Sequence, residues 1–158
     1  MTAEKSKFTH MKLVFKIKRF EALSGLELYQ LLQLRSEVFV VEQNCVYQDI
    51  DGKDEKALHV LGECEGKIVA YARLFKPNDY FENASIGRVV VSASSRGREW
   101  GVALMREAIL GIENHFGLQP ITISAQLYLK KFYESLGFKQ VSEPYLEDGI
   151  PHIEMLLK

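Results

Sequence analysis

Residues 86–91, Ile-Gly-Arg-Val-Val-Val, read as an apolar strand, and Arg96-Gly97-Arg98-Glu99-Trp100-Gly101 then turns that strand into a helix. No other stretch constrains the fold as much. The first turn of a helix has backbone N–H groups without intrahelical partners, and the aligned peptide dipoles place roughly half a positive charge there. With two arginines alongside, such a junction is suited to holding phosphates.

The flanking elements follow from periodicity and turn chemistry. Leu13 to Phe20 alternates as a half-buried strand does, with Leu13, Phe15 and Ile17 apolar and Lys16 and Lys18 charged. Ser24-Gly25-Leu26-Glu27 has capping-box spacing, and Leu28, Leu31, Leu32, Leu34, Val38 and Phe39 recur at helical intervals, which predicts a helix to about Val40. Glu42 to Lys56 is a polar loop. His59 to Cys64 and Ile68 to Phe75 are expected to pair across Glu65-Gly66, and Pro77 to Ser85 is a second loop. Past Gly101, the stripe Leu104, Met105, Ala108, Ile109 and Ile112 predicts a helix that Gly117 caps. Ile121 to Ser124 is a short strand, Leu129, Phe132, Tyr133 and Leu136 lie on a helix ending at Gly137, and 138–141 and 152–157 are closing strands. The expected fold is α/β (α+β), a mixed central sheet of six to seven strands flanked by helices over residues 11–158. Residues 1–10 are polar and lack periodicity, as a flexible leader does.

Composition narrows the partners. A chain of 158 residues with 47% hydrophobic content fits one domain. Its 20 Lys and Arg against 21 Asp and Glu offer no basic field for nucleic acid. The apolar runs are strand-sized and no signal-peptide pattern opens the chain, so a cytoplasmic protein without a membrane partner is expected. Cys45 and Cys64 lack metal-ligand spacing, and no metal is implied. Asp49, Asp51, Asp54 and Glu55 do not have calcium-loop spacing. Together with Glu143, Glu147 and Asp148 they are a solvated surface or a lure for a cationic amine. Arg35, Arg73 and Arg88 sit in apolar elements and need partners, either in a structural ion-pair network or around an acceptor pocket.

The junction resembles the GNAT acyltransferase signature (Gln/Arg)-x-x-Gly-x-(Gly/Ala), with Arg96 and Gly101 matching and Glu99 standing where the family has its middle glycine. Glu99 is expected to turn to solvent with no special dihedral, leaving the backbone donors available. A second segment matches at Gln126, Leu129, Tyr133, Gly137 and Phe138, where the family reads Asn, Ala, Tyr and Gly-Phe. Residues 31–35, 38–44, 47–52 and 148–152 are similar to the ElaA-like subfamily.

The resemblance implies acetyl-CoA as donor and a primary amine, small molecule or lysine, as acceptor. Arg96, Gly97, Arg98, Glu99, Trp100 and Gly101 would hold the pyrophosphate, Val89 the pantetheine amide, and Gln126 the pantetheine arm or the ADP side. The Val91 N–H would polarise the thioester carbonyl, and Tyr133 would protonate the departing thiolate. The general base is open between Glu42 and His152, and so is a homodimer. Two other readings stay on the table. An acyl-homoserine-lactone-synthase-like enzyme, suggested by the long first helix, would prefer longer acyl chains. A non-catalytic CoA-binding or interaction domain, suggested by Glu99, would release no CoA in response to an acceptor.

Overall fold

In the computed structural model, which describes residues 11–158, the strands join into one sheet; the leader expected at 1–10 lies outside the described residues. The strands are β1 (Val14–Arg19), β2 (Leu58–Cys64), β3 (Lys67–Phe75), β4 (Ala84–Val91), β5 (Ile121–Gln126), β6 (Lys139–Gln140), β7 (Tyr145–Glu147) and β8 (Ile150–Leu157). Their order is β1-β2-β3-β4-β5-β8-β6, with β7 also paired to β8. All neighbours are antiparallel except β4 and β5.

Among the described residues three α-helices accompany the sheet: α1 (Gly25–Arg35), α2 (Trp100–Phe116) and α3 (Lys130–Glu134). The capping box forms, with Ser24 Oγ accepting from the Glu27 N–H at 3.0 Å and Glu27 Oε1 accepting from the Ser24 N–H at 2.9 Å. Alternation along the strands sends side chains to opposite faces. On one face Val60, Ala72, Leu74, Ile86, Ile123 and Met155 pack with Leu104, Met105, Ala108 and Ile112 of α2. On the other, Leu61, Tyr71 and Val90 pack with Leu31 and Leu34 of α1. The glycines at 117 and 137 have φ of 87° and 98°, so they end their helices in backbone that a side chain would strain.

Three expectations change. The sheet has eight strands because β7 and β8 form a hairpin across Asp148-Gly149, whose φ values of 51° and 76° suit a type I′ turn. The first helical run ends at Glu42, close to the expected Val40, but it is α-helical only as far as Arg35. It continues as a π-helix over Ser36–Glu42, with the N–H of Gln43 bonded to the Val38 carbonyl at 3.1 Å and that of Cys45 to Val40 at 3.0 Å. The extra residue per turn rotates Glu42 out of the α-helical register. Finally, α3 is a single short helix, preceded by a tight 3₁₀ turn at Leu127–Leu129.

Candidate active site

β4 and β5 pair only at Ala84–Ile121 and Ser85–Thr122, although both strands run on. A bulge drives them apart. Tyr71 faces Val90 and Arg73 faces Gly87, so three steps of β4 span two of β3, and Arg88 takes a φ of 49°. Beyond Ser85 the side of β4 that faces β5 has no strand partner among the described residues. The Ser92 N–H is bonded to the Val69 carbonyl at 2.8 Å, so strand alternation turns the N–H and C=O of Val91, and by the same parity Val89, into the gap.

The gap opens into a cleft of about 860 Å³. Val89, Val91, Arg96, Gly97, Glu99, Trp100, Gly101 and Gln126 line it, as do Glu42, Tyr133 and His152. Arg98 does not. Its guanidinium donates to the Ser94 carbonyl at 3.2 Å and lies 5.2 Å from the Trp100 ring. Gln126 Nε2 donates to Gln43 Oε1 at 3.3 Å across the cleft.

At the phosphate-type junction the first bond of helical spacing runs from the Ala103 N–H to the Glu99 carbonyl at 3.2 Å, which leaves the amides of Trp100, Gly101 and Val102 as the helix's open donors. Gly97 has a φ of 84°, and Glu99 has φ 58° and ψ 23°. The expectation of an ordinary dihedral at Glu99 is therefore corrected: the loop needs left-handed backbone there, and an L side chain is strained in it. Glu99 is exposed, as expected. Left-handed backbone costs an L residue about 1–2 kcal/mol, whereas glycine costs about 0.5–1 kcal/mol in backbone entropy. Glu99→Gly is therefore expected to melt at or slightly above the parent temperature and to bind anions more tightly, having lost a negative charge. A melting temperature clearly below the parent's would show that the Glu99 side chain contributes more than its backbone costs.

Arg96 does not reach freely into the cleft. Its Nη1 and Nη2 grip the two Glu42 carboxylate oxygens at 2.7 Å each, and its Nε donates to the Val91 carbonyl at 3.2 Å. The π-helix, the end of β4 and the loop are thereby tied at one point. Hydrogen bonding from Arg96 holds the Glu42 carboxyl below the usual carboxylate range, which makes it a weak proton acceptor.

His152 is differently placed. Its Nδ1 lies 2.6 Å from the Ile150 carbonyl and its Nε2 lies 3.2 Å from Glu147 Oε2. With Nδ1–H donating to the carbonyl, Nε2 is the basic nitrogen, and a proton taken there is shared with a carboxylate. The Tyr145 ring stacks on the imidazole, and its hydroxyl bonds Ser124 Oγ at 2.5 Å. This cluster was not legible as a unit, because it needs the β7–β8 hairpin to be recognised. The Asp-Gly pair was the available signal.

Tyr133 is 6% exposed, edge-on to Phe132 and Phe138. Its hydroxyl has no hydrogen-bond partner among the described residues. Burial raises its pKa above the usual tyrosine value, so it remains a proton donor across the neutral range.

The acidic loop pairs with the buried arginines. Arg35, fully buried, donates to Asp49 at 2.9 Å and to Asp54 at 2.8 Å. Arg73 donates to Asp51 at 2.6 Å and to Asp54 at 3.0 Å, and Arg88 Nε lies 2.7 Å from Asp49. Three positive and three negative charges cancel, and the bulge residue Arg88 is held by the loop. Of the two roles expected for these arginines, the structural network is present. His59, bonded to the Tyr71 hydroxyl at 2.6 Å and the Asp54 carbonyl at 2.9 Å, is a core residue.

Residues 23–158 match the acetyltransferase (GNAT) domain family. Protein ElaA of Escherichia coli (strain K12) is 50% identical over 135 residues, which span 84% of this chain and 88% of that protein. The crystal structure of Escherichia coli ElaA matches with a TM-score of 0.87 at 44% identity, covering 93% of this chain and 100% of that one. That of an acyl-CoA N-acyltransferase from Pseudomonas aeruginosa matches with a TM-score of 0.88 at 42% identity and the same coverage. Among the described residues no helix is long and apolar enough to cross a membrane.

Proposed function

The chain belongs to the GNAT acyltransferase family, and from that premise we propose that it moves an acetyl group from acetyl-CoA to a primary amine by direct attack on the thioester. The split between β4 and β5 is the observation that carries the reading. It leaves the N–H of Val91 and the N–H and C=O of Val89 open along one wall, leading to the open amides at 100–102, which fits an extended amide-bearing arm that ends in a pyrophosphate. Gly97 and Glu99 shape the loop, and Gln126 closes the opposite wall.

Acetyl-CoA supplies an activated acetyl carbon and a thiolate leaving group; the rest falls to the chain. His152 Nε2 takes the proton that the amine loses as its nitrogen bonds to the acetyl carbon. The Val91 N–H stabilises the charge that gathers on the carbonyl oxygen. Tyr133 donates its proton to sulfur as the carbon–sulfur bond breaks. Glu42 acts through Arg96, holding the loop to β4.

Calorimetric titration with acetyl-CoA beside acetyl-pantetheine tests the cofactor assignment. Micromolar binding of acetyl-CoA, with acetyl-pantetheine at least about tenfold weaker for want of phosphates, is expected. Equal affinities would remove the phosphate role from the junction. Binding without acceptor-dependent thiol release would favour a regulatory CoA-binding domain.

A further inference from the structure

The acids that the sequence offers as a lure for a cationic amine divide in the fold. Asp49, Asp51 and Asp54 are committed to Arg35, Arg73 and Arg88. Glu147 and Asp148 are not. Both line the main cleft with His152, and among the described residues neither carboxylate pairs with a lysine or arginine. Glu147 meets the His152 ring at 3.2 Å and Ser124 Oγ at 3.4 Å. The arginines that line the cleft are neutralised, Arg88 by Asp49 and Asp51 and Arg96 by Glu42. The acceptor end therefore carries negative charge and holds no free cation to receive an anionic group.

A separate observation marks the reacting end. Tyr133 is 6% exposed and lines the cleft, and its hydroxyl has no partner among the described residues, a state that calls for a ligand group. From His152 the β7–β8 hairpin leads outward. Tyr145 faces His152 and Glu147 faces Ile150, so Asp148 at the turn stands about three strand steps away, roughly 10 Å at about 3.4 Å per residue. Residues 42–45 roof this path as a strap. Glu42 grips Arg96, Gln43 bonds Gln126, and Cys45 Sγ donates to the Asp148 carbonyl at 3.3 Å, so the strap crosses from the β4 side to the hairpin. A roofed path suits a slender chain rather than a polypeptide segment.

We infer that the acceptor is a small linear diamine or polyamine. One nitrogen bonds to the acetyl carbon and gives its proton to His152 Nε2, while the carbon–sulfur bond breaks and sulfur takes the Tyr133 proton. The second nitrogen stays an ammonium and rests against Asp148, with Glu147 between the two ends. About four or five methylenes set the nitrogens roughly 6–7 Å apart, at about 3.5 Å per three chain bonds, and the Asp148 side chain covers the remainder. The inference rests on the acetyl-transfer reading for the reacting end.

The test uses the full chain with diaminobutane bearing an amine at each end, beside butylamine and γ-aminobutyrate, which replace the far ammonium by a methyl and by a carboxylate. Thiol release from acetyl-CoA is recorded. The diamine is expected to exceed butylamine about tenfold in kcat/KM, and γ-aminobutyrate to fall below both. Added salt should shrink the diamine's lead. Asp148 has a φ of 51°, a conformation that asparagine adopts readily, so Asp148→Asn should fold as the parent does while cutting the lead about three- to tenfold. Glu143→Gln, an exposed change outside the cleft, should leave the lead intact. Equal use of diamine and butylamine, a lead that survives Asp148→Asn, or a lysine-rich peptide used in preference to the diamine overturns the inference and leaves the transfer reading standing. Absence of both acetyl-CoA binding and thiol release overturns the transfer reading instead. Calorimetric titration with the diamine alone then decides the charge, and no binding, or binding that Asp148→Asn does not weaken, refutes it.

Discussion

Tyr133→Phe is expected to turn over about a hundredfold to ten-thousandfold more slowly than the parent, the usual consequence of removing a general acid. Only one oxygen is lost. The ring keeps its edge-on contacts with Phe132 and Phe138, and the missing hydroxyl bonds nothing among the described residues, so stability and acetyl-CoA affinity should hold. Burial keeps the Tyr133 proton in place above the usual tyrosine range, so the parent should not lose this donor at mildly alkaline pH. Initial rates of thiol release decide the point. An unchanged turnover number would take Tyr133 out of the chemistry and leave it as core.

Arg35→Met is expected to destabilise the fold by about 3–5 kcal/mol, the cost of breaking a buried ion pair from one side. That is a large share of the roughly 5–15 kcal/mol by which domains are stable. Asp49 and Asp54, each 7% exposed, would lose a guanidinium that bonds both. Urea unfolding measures the difference, and a loss under about 1 kcal/mol would mean that the remaining arginines re-pair the loop.

The same network sets the acid limb of stability. Burial alone would raise the carboxyls of Asp51 and Asp54, but the hydrogen bonds and charge of Arg73, and for Asp54 also of Arg35, outweigh it and hold both below the usual carboxylate value. Carboxyls depressed in the folded state contribute stability that is fully present above their unfolded pKa of about 3.9 and is lost as pH falls through the folded values. In Arg35→Met, Asp54 loses a principal partner, so its contribution should disappear at higher pH than in the parent.

Much of the fold is carried by patterns a few residues long. The capping box at Ser24, the turn at Glu65-Gly66, the stripe of α2 and the glycines at 117 and 137 are local, and each is found where its pattern lies. The junction at 96–101 is local as well: the helix begins at Trp100, directly after the loop of arginines and glycine. The π-helical turn at 36–42 left no trace in periodicity, since it shifts the register by one residue and its effect is to bring Glu42 to Arg96, 54 residues away. The strain at Glu99 was hidden for a related reason: residue type alone does not reveal that a loop needs φ near 58°.

By itself, then, the sequence determined most of the elements, a sheet flanked by helices and the family, because helix and strand periods, caps and turns act within a few bonds. Only the tertiary structure decided which charges meet. It paired Glu42 with Arg96 and the acidic loop with three arginines, and it left His152 beside Glu147. The physical reason is that burial makes an unpaired charge costly but does not say which distant group will pair with it; that choice belongs to the sheet order and to the bulge that parts β4 from β5.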